Sequence, residues 1–381
     1  MSLVSVIAGF GAIAFVMALC GAVFGVLATV ALRRFLRQAP AAPLSAPSVT
    51  ILRPMRGAEP EMTQNLQSLC GQDYAGPVQV ILGAGDPDDP ALAAARALKA
   101  ERPGRDIVIV ADPTPHGTNR KLGNLINMAG QARGEVVVIS DSDVRLPPQA
   151  LSAFVGALQQ PGVGLVYGLY RGRPAGNLWS RIAALDVNAR FASSVVVGQA
   201  LGAHPVLGPT MALRADTLER IGGFERLKDV LADDFELGRL VRGEGLAIAC
   251  PPILIDHVFP ERSLREAWMH ELRWARTIRL LNPGGYAGSV ITYVLPLALI
   301  GAALTGLAPA GLALLAVLAV LRAGQCAASC RLMGADRGVL WLFALRDLLS
   351  FGVFAAAFFG DRIEWRGHRL RVQSDGAMAS P

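Results

Sequence analysis

Ser140-Asp141-Ser142-Asp143-Val144 sets two carboxylates one residue apart, directly after the β-branched run Val136–Ile139. Such a pair suits a divalent cation, because Mg2+ and Mn2+ take hard oxygen ligands and share their coordination with substrate phosphates. An acidic turn after a strand also occurs without a metal, so the tripeptide alone leaves both readings open. Gly85-Asp86-Pro87-Asp88-Asp89-Pro90 follows a second such run, Val78–Leu82. Asp89 is expected to cap the next helix, with Pro90 at its first position. Asp86, nearer the strand end, is left to bond a nucleotide base or ribose. In Asn119-Arg120-Lys121-Leu122-Gly123-Asn124, the Lys121 cation and the amides of Asn119 and Asn124 offer a phosphate site at a helix start. The same residues would also simply begin a helix.

Asp233-Asp234, inside Leu231–Leu237, opens a further helical pattern. Aspartates there are ordinary helix caps. A transfer that inverts its reaction centre, however, needs one carboxylate in reach of the acceptor hydroxyl to take its proton, and neighbouring acids tune the pKa of such a group. His270-Glu271-Leu272-Arg273-Trp274-Ala275-Arg276 lies in a stretch from Ser263 that reads as helix. Arg273 brings a planar fork of donors suited to a diphosphate, and Trp274 an amphipathic ring. A basic amphipathic helix beside a membrane would carry similar residues for lipid contact.

The elements that must position these groups are legible. Short strand-like runs at Val49–Leu52, Val78–Leu82, Ile107–Val110 and Val136–Ser140 alternate with helical patterns near Met62–Gly71, Pro90–Ala100 and Leu122–Arg133. That rhythm predicts an α/β domain with a mostly parallel sheet covered on both faces. Ligands of such sheets sit beyond the carboxyl ends of the strands, where the first two acidic motifs fall.

The rest of the chain points to a membrane. Of 381 residues, 52% are hydrophobic and 17% charged, and the mean hydropathy is +0.40, too apolar for an ordinary soluble enzyme. The net charge of +6 and pI near 9.4 fit a face that meets anionic lipid. Aromatic residues make up 6% and form no stripe with arginine, which argues against nucleic acid. No charge precedes Arg33, so residues 1–32 read as a transmembrane anchor. A signal peptide is disfavoured by the missing basic start and the length of the apolar run. Arg33, Arg34 and Arg37 place the following residues in the cytoplasm by the positive-inside rule. Residues 33–47 form a basic and Pro/Ala linker, and 48–285 the catalytic domain. Residues 286–360 hold membrane helices: Tyr286–Leu321 is expected as two spans turning at Gly306–Gly311, and Val339–Phe359 as an interfacial or re-entrant helix because Arg346 and Asp347 interrupt it. Residues 361–381 form a basic tail (Arg362, Arg366, Arg369, Arg371) placed in the cytoplasm. Trp179–Leu207, with few charges, is expected near the bilayer as a guide for lipid. The five cysteines (Cys20, Cys70, Cys250, Cys326, Cys330) have no zinc-like spacing and read as reduced.

In their order, these motifs resemble the family 21 glycosyltransferases, the ceramide glucosyltransferase-like group related to family 2 enzymes of the GT-A fold. The pattern is an Asp after the second strand, an Asp-containing metal motif, a later acidic pair and [Q/R]xxRW. Here those positions are similar to Asp86, Asp141/Asp143, Asp233-Asp234 and His270-xx-Arg273-Trp274. Flanking likenesses are Leu52–Gly57, Gln72–Tyr74, Asn119–Asn124 and Trp365–Arg371. His270 departs from the motif's Gln or Arg, and Asp-Asp stands where the wider superfamily often has Glu-Asp. Arg171–Gly176 and His270–Arg279 look most like the bacterial hopanoid-biosynthesis glycosyltransferases.

The resemblance implies a bacterial inner-membrane enzyme of several passes that moves N-acetylglucosamine from its UDP donor to a hopanoid such as bacteriohopanetetrol. In that scheme Asp86, Asn119, Lys121, Asn124 and His270 hold the donor, and Asp141 and Asp143 a Mg2+ or Mn2+ ion. Asp234, beside Asp233, deprotonates the lipid hydroxyl, Arg273 steadies the departing UDP, and Trp274 shapes the acceptor site. A ceramide glucosyltransferase would share fold and chemistry. A processive polysaccharide synthase would need more spans than the roughly three or four available. A silent nucleotide-sugar or lipid-binding membrane protein would be expected to have degenerate acidic motifs, and all three are intact.

Overall fold

The computed structural model describes residues 3–203, 205–336, 338–360, 362–365, 368–372 and 378–379. A 34-residue helix, α1 (Leu3–Leu36), leads into the α/β domain. There β1 (Val49–Met55), α2 (Met62–Cys70), β2 (Val78–Ala84), α3 (Ala91–Glu101), β3 (Asp106–Ala111), α4 (Arg120–Ala129) and β4 (Val136–Ser140) follow the expected alternation. After them come β5 (Val144–Arg145), α5 (Ala150–Leu158), β6 (Val163–Tyr167), β7 (Leu169–Pro174), α6 (Leu178–Asp186), a π turn at Val187–Phe191 and α7 (Ala192–Ala200). Next are β8 (Thr210–Arg214), α8 (Ala215–Arg220), α9 (Asp233–Gly243), β9 (Ala247–Ala249), β10 (Leu254–Phe259) and α10 (Leu264–Leu281).

The main sheet runs β3-β2-β1-β4-β8-β6-β9. β3, β2, β1 and β4 are parallel, β8 is antiparallel to both its neighbours, and β6 is parallel to β9. Every residue of β1 is buried, as a central strand covered on both faces requires. From β1 the chain steps to one side for β2 and β3 and to the other for β4. The crevice beyond the carboxyl ends of β1 and β4 is therefore the place where such a sheet takes a ligand. A smaller sheet, β5-β10-β7, leans over it.

Beyond α10 the chain forms α11 (Pro283–Gly288), α12 (Val294–Leu304), α13 (Pro309–Leu332) and α14 (Phe343–Ala356). Among the described residues two helices are long and apolar enough to cross a membrane, α1 and the 24-residue α13; residues 283–292 and α12 form a pair bent by 71°, which makes a third if it is one broken span. The turn falls at Gly306, and α12 alone is about 16 Å long, half a bilayer core. Its partner α13 instead continues through Arg322 to Leu332. Arg322 is accepted there because Asp347 of α14 takes it through both carboxylate oxygens, at 2.8 and 2.7 Å. Next to it, Arg346 clamps Glu271 of α10 at 2.5 and 2.7 Å. Those two pairs explain charges in an apolar stretch, and α14, about 21 Å long, falls short of a span.

Gly11 faces Gly301, Gly21 faces Ile291, and Thr29 meets Ser329 at 3.1 Å. Thus α1 and α13 run in the same direction and α12 against them. A Cβ on Gly21 would lie 1.8 Å from the Ile291 carbonyl oxygen, so only glycine lets α1 pass so close. Both long helices finish in arginine (Arg33 and Arg34, Arg331) beside the α/β domain, where Leu32 and Met333 join its core. Of the tail, Arg362–Trp365, His368–Val372 and Met378–Ala379 are strands; Arg366 lies outside the described residues. Cys20, Cys70, Cys250, Cys326 and Cys330 are free thiols.

Candidate active site

Two acidic motifs far apart in sequence converge on one cation. Lys121 Nζ lies 2.8 Å from Asp141 Oδ1 and 3.0 Å from Asp233 Oδ2. Its helix starts where it does because Asn119 accepts the backbone N–H groups of Lys121 and Leu122, a side-chain cap. Burial works against the Lys121 charge, but Asp141 and Asp233 outweigh it and hold the ammonium above its ordinary range. Burial also raises the Asp141 carboxyl; Lys121 opposes this, and Asp143 and Asp233 add to it, leaving a net rise.

The turn that carries Asp141 and Asp143 is held from below by Arg53 in the middle of β1. Fully buried, Arg53 donates to the Val144 carbonyl at 2.9 Å and to Ser140 Oγ at 2.7 Å. Burial lowers its pKa to about 10 against the pull of Asp143 and Asp141. On the other side His257 of β10, 6% exposed, sits with Nε2 3.2 Å from Asp143 Oδ2. Burial alone would depress that imidazole, yet Asp143 prevails and raises it. Among the described residues no three His, Cys, Asp or Glu side chains form a metal site by themselves. Asp141 and Asp143 nevertheless fit Mg2+ or Mn2+: both are hard oxygen donors, 31% and 34% exposed. Such ions complete their shells with phosphate and water.

The acidic pair opens α9 as expected, and its two members diverge. Asp233 turns to Lys121, whereas Asp234 Oδ1 accepts the Phe235 N–H at 2.8 Å. Gly208 lets that carboxylate lie against the backbone, since a Cβ there would be 3.1 Å from Asp234 Oδ2. Burial first, then the charge of Asp233, pushes the Asp234 pKa up to about 6, the range in which a carboxylate can serve as a general base near neutral pH.

Helix α10 begins at a cap in which Ser263 accepts the Glu266 N–H. It places Trp274 4.3 Å from the His270 ring and 6.4 Å from His257. Tyr170 packs edge-on to His257 at 5.1 Å and meets Phe191 at 5.5 Å. One continuous set of rings therefore joins the Asp143 side of the pocket to α10 and to the π turn. Arg273 follows His270 by one helical turn on the same helix.

Asp86 stands exposed just past β2, its Oδ1 accepting the Asp88 N–H at 2.9 Å. Asp89 caps α3 through the Ala91 N–H and also takes the Gly57 N–H, each at 2.8 Å. Asn119 and Asn124, also expected at the donor, are 0% and 7% exposed. Asn119 spends its amide on the Val230 carbonyl (2.7 Å), and Asn124 on that of Gly83 (2.8 Å). Both help build the floor that presents Lys121. Arg53, His257, Glu261 and Tyr170 escaped sequence reasoning, although an arginine inside the apolar run of β1 was a usable signal. The segment α6–α7 docks on α13 through Gln325, whose amide donates to the Ala189 carbonyl at 3.0 Å. Beside it a small cavity of about 20 Å³ lies between α1, the π turn and α13, lined by Gly25, Ala28, Arg190, Ser194, Leu321 and Gln325.

The family model for glycosyl transferase family 21 matches residues 13–378. Ceramide glucosyltransferase 1 of Caenorhabditis elegans is 23% identical over 211 residues, 55% of this chain and 45% of that one. The ceramide glucosyltransferase of Komagataella phaffii is 34% identical over 122 residues, 31% of this chain and 24% of that one. The chain thus spans less than half the length of these curated relatives in the region it matches. Among solved structures, the mannosyltransferase PcManGT from Pyrobaculum calidifontis, in complex with GDP-Man and Mn2+, superposes with a TM-score of 0.53 at 20% identity, covering 92% of this chain and 99% of that one. That likeness shows a glycosyltransferase fold of the GT-A type.

Proposed function

The chain belongs to glycosyl transferase family 21, and from that premise we propose that it transfers a sugar from a UDP donor to the hydroxyl of a membrane lipid, with inversion. The observation that carries this reading is the Lys121 bridge between Asp141 and Asp233, with Asp234 next in sequence. It sets a diphosphate-binding cation and a raised carboxylate in one pocket. Asp234 takes the proton of the lipid hydroxyl, and the freed oxygen attacks the anomeric carbon from the face opposite the diphosphate. The bond to the diphosphate oxygen breaks, and its electron pair departs with UDP. Lys121 and Arg273 receive that charge, Asp86 holds the nucleoside, and Trp274 walls the acceptor side. A divalent cation held by Asp141 and Asp143 would add Lewis-acid charge at the diphosphate; the Mn2+ and GDP-Man bound to PcManGT support that expectation.

We assign N-acetylglucosamine as the sugar and a bacteriohopane polyol as the acceptor, on the likeness of Arg171–Gly176 and His270–Arg279. The names of the curated relatives favour a second reading, UDP-glucose to ceramide. The docking of α6–α7 on α13, a helix apolar enough to cross a membrane, supports arrival of the lipid from the bilayer. The arginines closing α1 and α13 support a cytoplasmic catalytic domain on a bacterial inner membrane. The test is a transfer assay on purified protein in detergent. UDP-N-acetylglucosamine or UDP-glucose is offered with bacteriohopanetetrol or ceramide, with and without Mg2+, and the extracted lipid is weighed by mass spectrometry. A hexosamine adduct on the hopanoid, lost with chelator, is the expected product. Hexose on ceramide would move the assignment to the second reading, and no glycolipid with any pair would overturn both.

A further inference from the structure

His270 stands where the motif it resembles carries Gln or Arg, and the fold gives it a partner of its own. Glu261, in the short connection between β10 and α10, is 3% exposed, and its Oε1 lies 2.5 Å from His270 Nδ1. Its Oε2 is buried without a hydrogen-bond partner among the described residues. A carboxylate so enclosed is unfavourable unless it is hydrogen-bonded, and the imidazole N–H supplies that bond. The carboxylate only accepts, so the hydrogen of this contact resides on Nδ1. In the neutral ring Nε2 then carries a lone pair and no proton. His270 is a quarter exposed, with Trp274, the proposed acceptor-side residue, packed edge-on at 4.3 Å. Gln and Arg both bring N–H donors to this position; a histidine fixed by Glu261 brings an acceptor.

We propose that Glu261 and His270 form a hydroxyl-recognition pair, in which Glu261 is a positioning residue that fixes the Nδ1–H tautomer and His270 Nε2 accepts a hydroxyl of the bound substrate. This rests on the transferase reading above. The hydroxyl belongs either to the lipid head or to the donor sugar, and kinetics separate the two sources.

The experiment compares Glu261→Gln, His270→Phe and the double variant with the wild type. It measures KM for each substrate, kcat, and the affinity for UDP alone. Each single variant is expected to raise one KM about tenfold, as for loss of one hydrogen bond of ordinary strength, with UDP affinity unchanged. The double variant should be no worse than His270→Phe. A rise in acceptor KM assigns the hydroxyl to the lipid, and a rise in donor KM assigns it to the sugar. A fall in UDP affinity, or an equal further loss from Glu261→Gln in the His270→Phe background, overturns the proposal. A second measurement stands apart from turnover: the long-range 15N–1H spectrum of histidine-labelled protein should show an Nδ1–H imidazole that is absent from His270→Phe and altered by Glu261→Gln. Its absence overturns the pair whatever the assay gives. A wild type that shows this tautomer but transfers nothing would instead sink the transferase reading.

Discussion

Lys121 Nζ lies 3.0 Å from Asp233 Oδ2, so the cation on the helix after β3 closes directly onto the helix that presents Asp234. Because the same nitrogen holds Asp141, one side chain links the proposed metal turn to the proposed base. Lys121→Met should lower kcat by about two to three orders, the scale for removing one preorganised charge from a developing anion. The fold should survive, since Asn119 still caps α4. Steady-state kinetics with a circular dichroism melt checks this; loss of less than about threefold would remove Lys121 from the chemistry.

The raised pKa of Asp234 ties activity and stability to pH with opposite signs. As a base the carboxylate must be ionised, so kcat should fall about tenfold per unit as pH drops below about 6. Because burial and Asp233 raise this pKa above the unfolded value, the folded state holds the proton more tightly between the two. Ionisation therefore destabilises the fold as pH rises through that window. Asp234→Asn should abolish turnover by two orders or more while raising the melting temperature at pH 7.5. Retention of a tenth of wild-type turnover would exclude Asp234 as base.

How far this was legible in the sequence differs between sheet and site. The first four strands and their helices were readable because β1, β2 and β4 are short β-branched runs with buried faces, a strong local signal. The acidic motifs were readable as types and not as neighbours, since only the sheet order brings Asp233 to Lys121. The structural bonds of Asn119 and Asn124 were not legible, because an amide at a helix start serves a cap or a ligand alike. His257 and Glu261 gave no local pattern: each is an isolated residue whose meaning comes from a partner on another element. The end of α13 was not legible, because Arg322 ends the uncharged run while Asp347 of α14 pairs with it and lets the helix continue.

Arg53 should prove structural and functional at once. It is the buried cation beneath the Asp141–Asp143 turn, bonded to Val144 and Ser140. Arg53→Met removes that charge and strands the Val144 carbonyl, a loss of about 1–3 kcal/mol for a buried group left unsatisfied. The expected result is a lower urea midpoint together with a raised Mg2+ requirement, because the turn loses its support. A stability loss with an unchanged metal requirement would confine Arg53 to the core.

The pair Glu271–Arg346 joins the helix of His270, Arg273 and Trp274 to α14. Breaking it by Arg346→Ala leaves Glu271 unpaired in a half-buried setting and frees α10 on its membrane side, so kcat should drop about tenfold or more with the melting temperature. Exchanging the charges in Glu271→Arg/Arg346→Glu should recover only part of the loss. A glutamate at 346 would face Asp186, whose carboxylate already lies 3.7 Å from Arg346, and Asp186 is itself held by Arg190 at 2.9 Å. Adding Asp186→Asn to the exchanged pair should therefore restore more activity than the exchange alone. Thermal melts and kinetics across this series decide the matter. Equal activity in all three variants would show that α10 is oriented without help from α14.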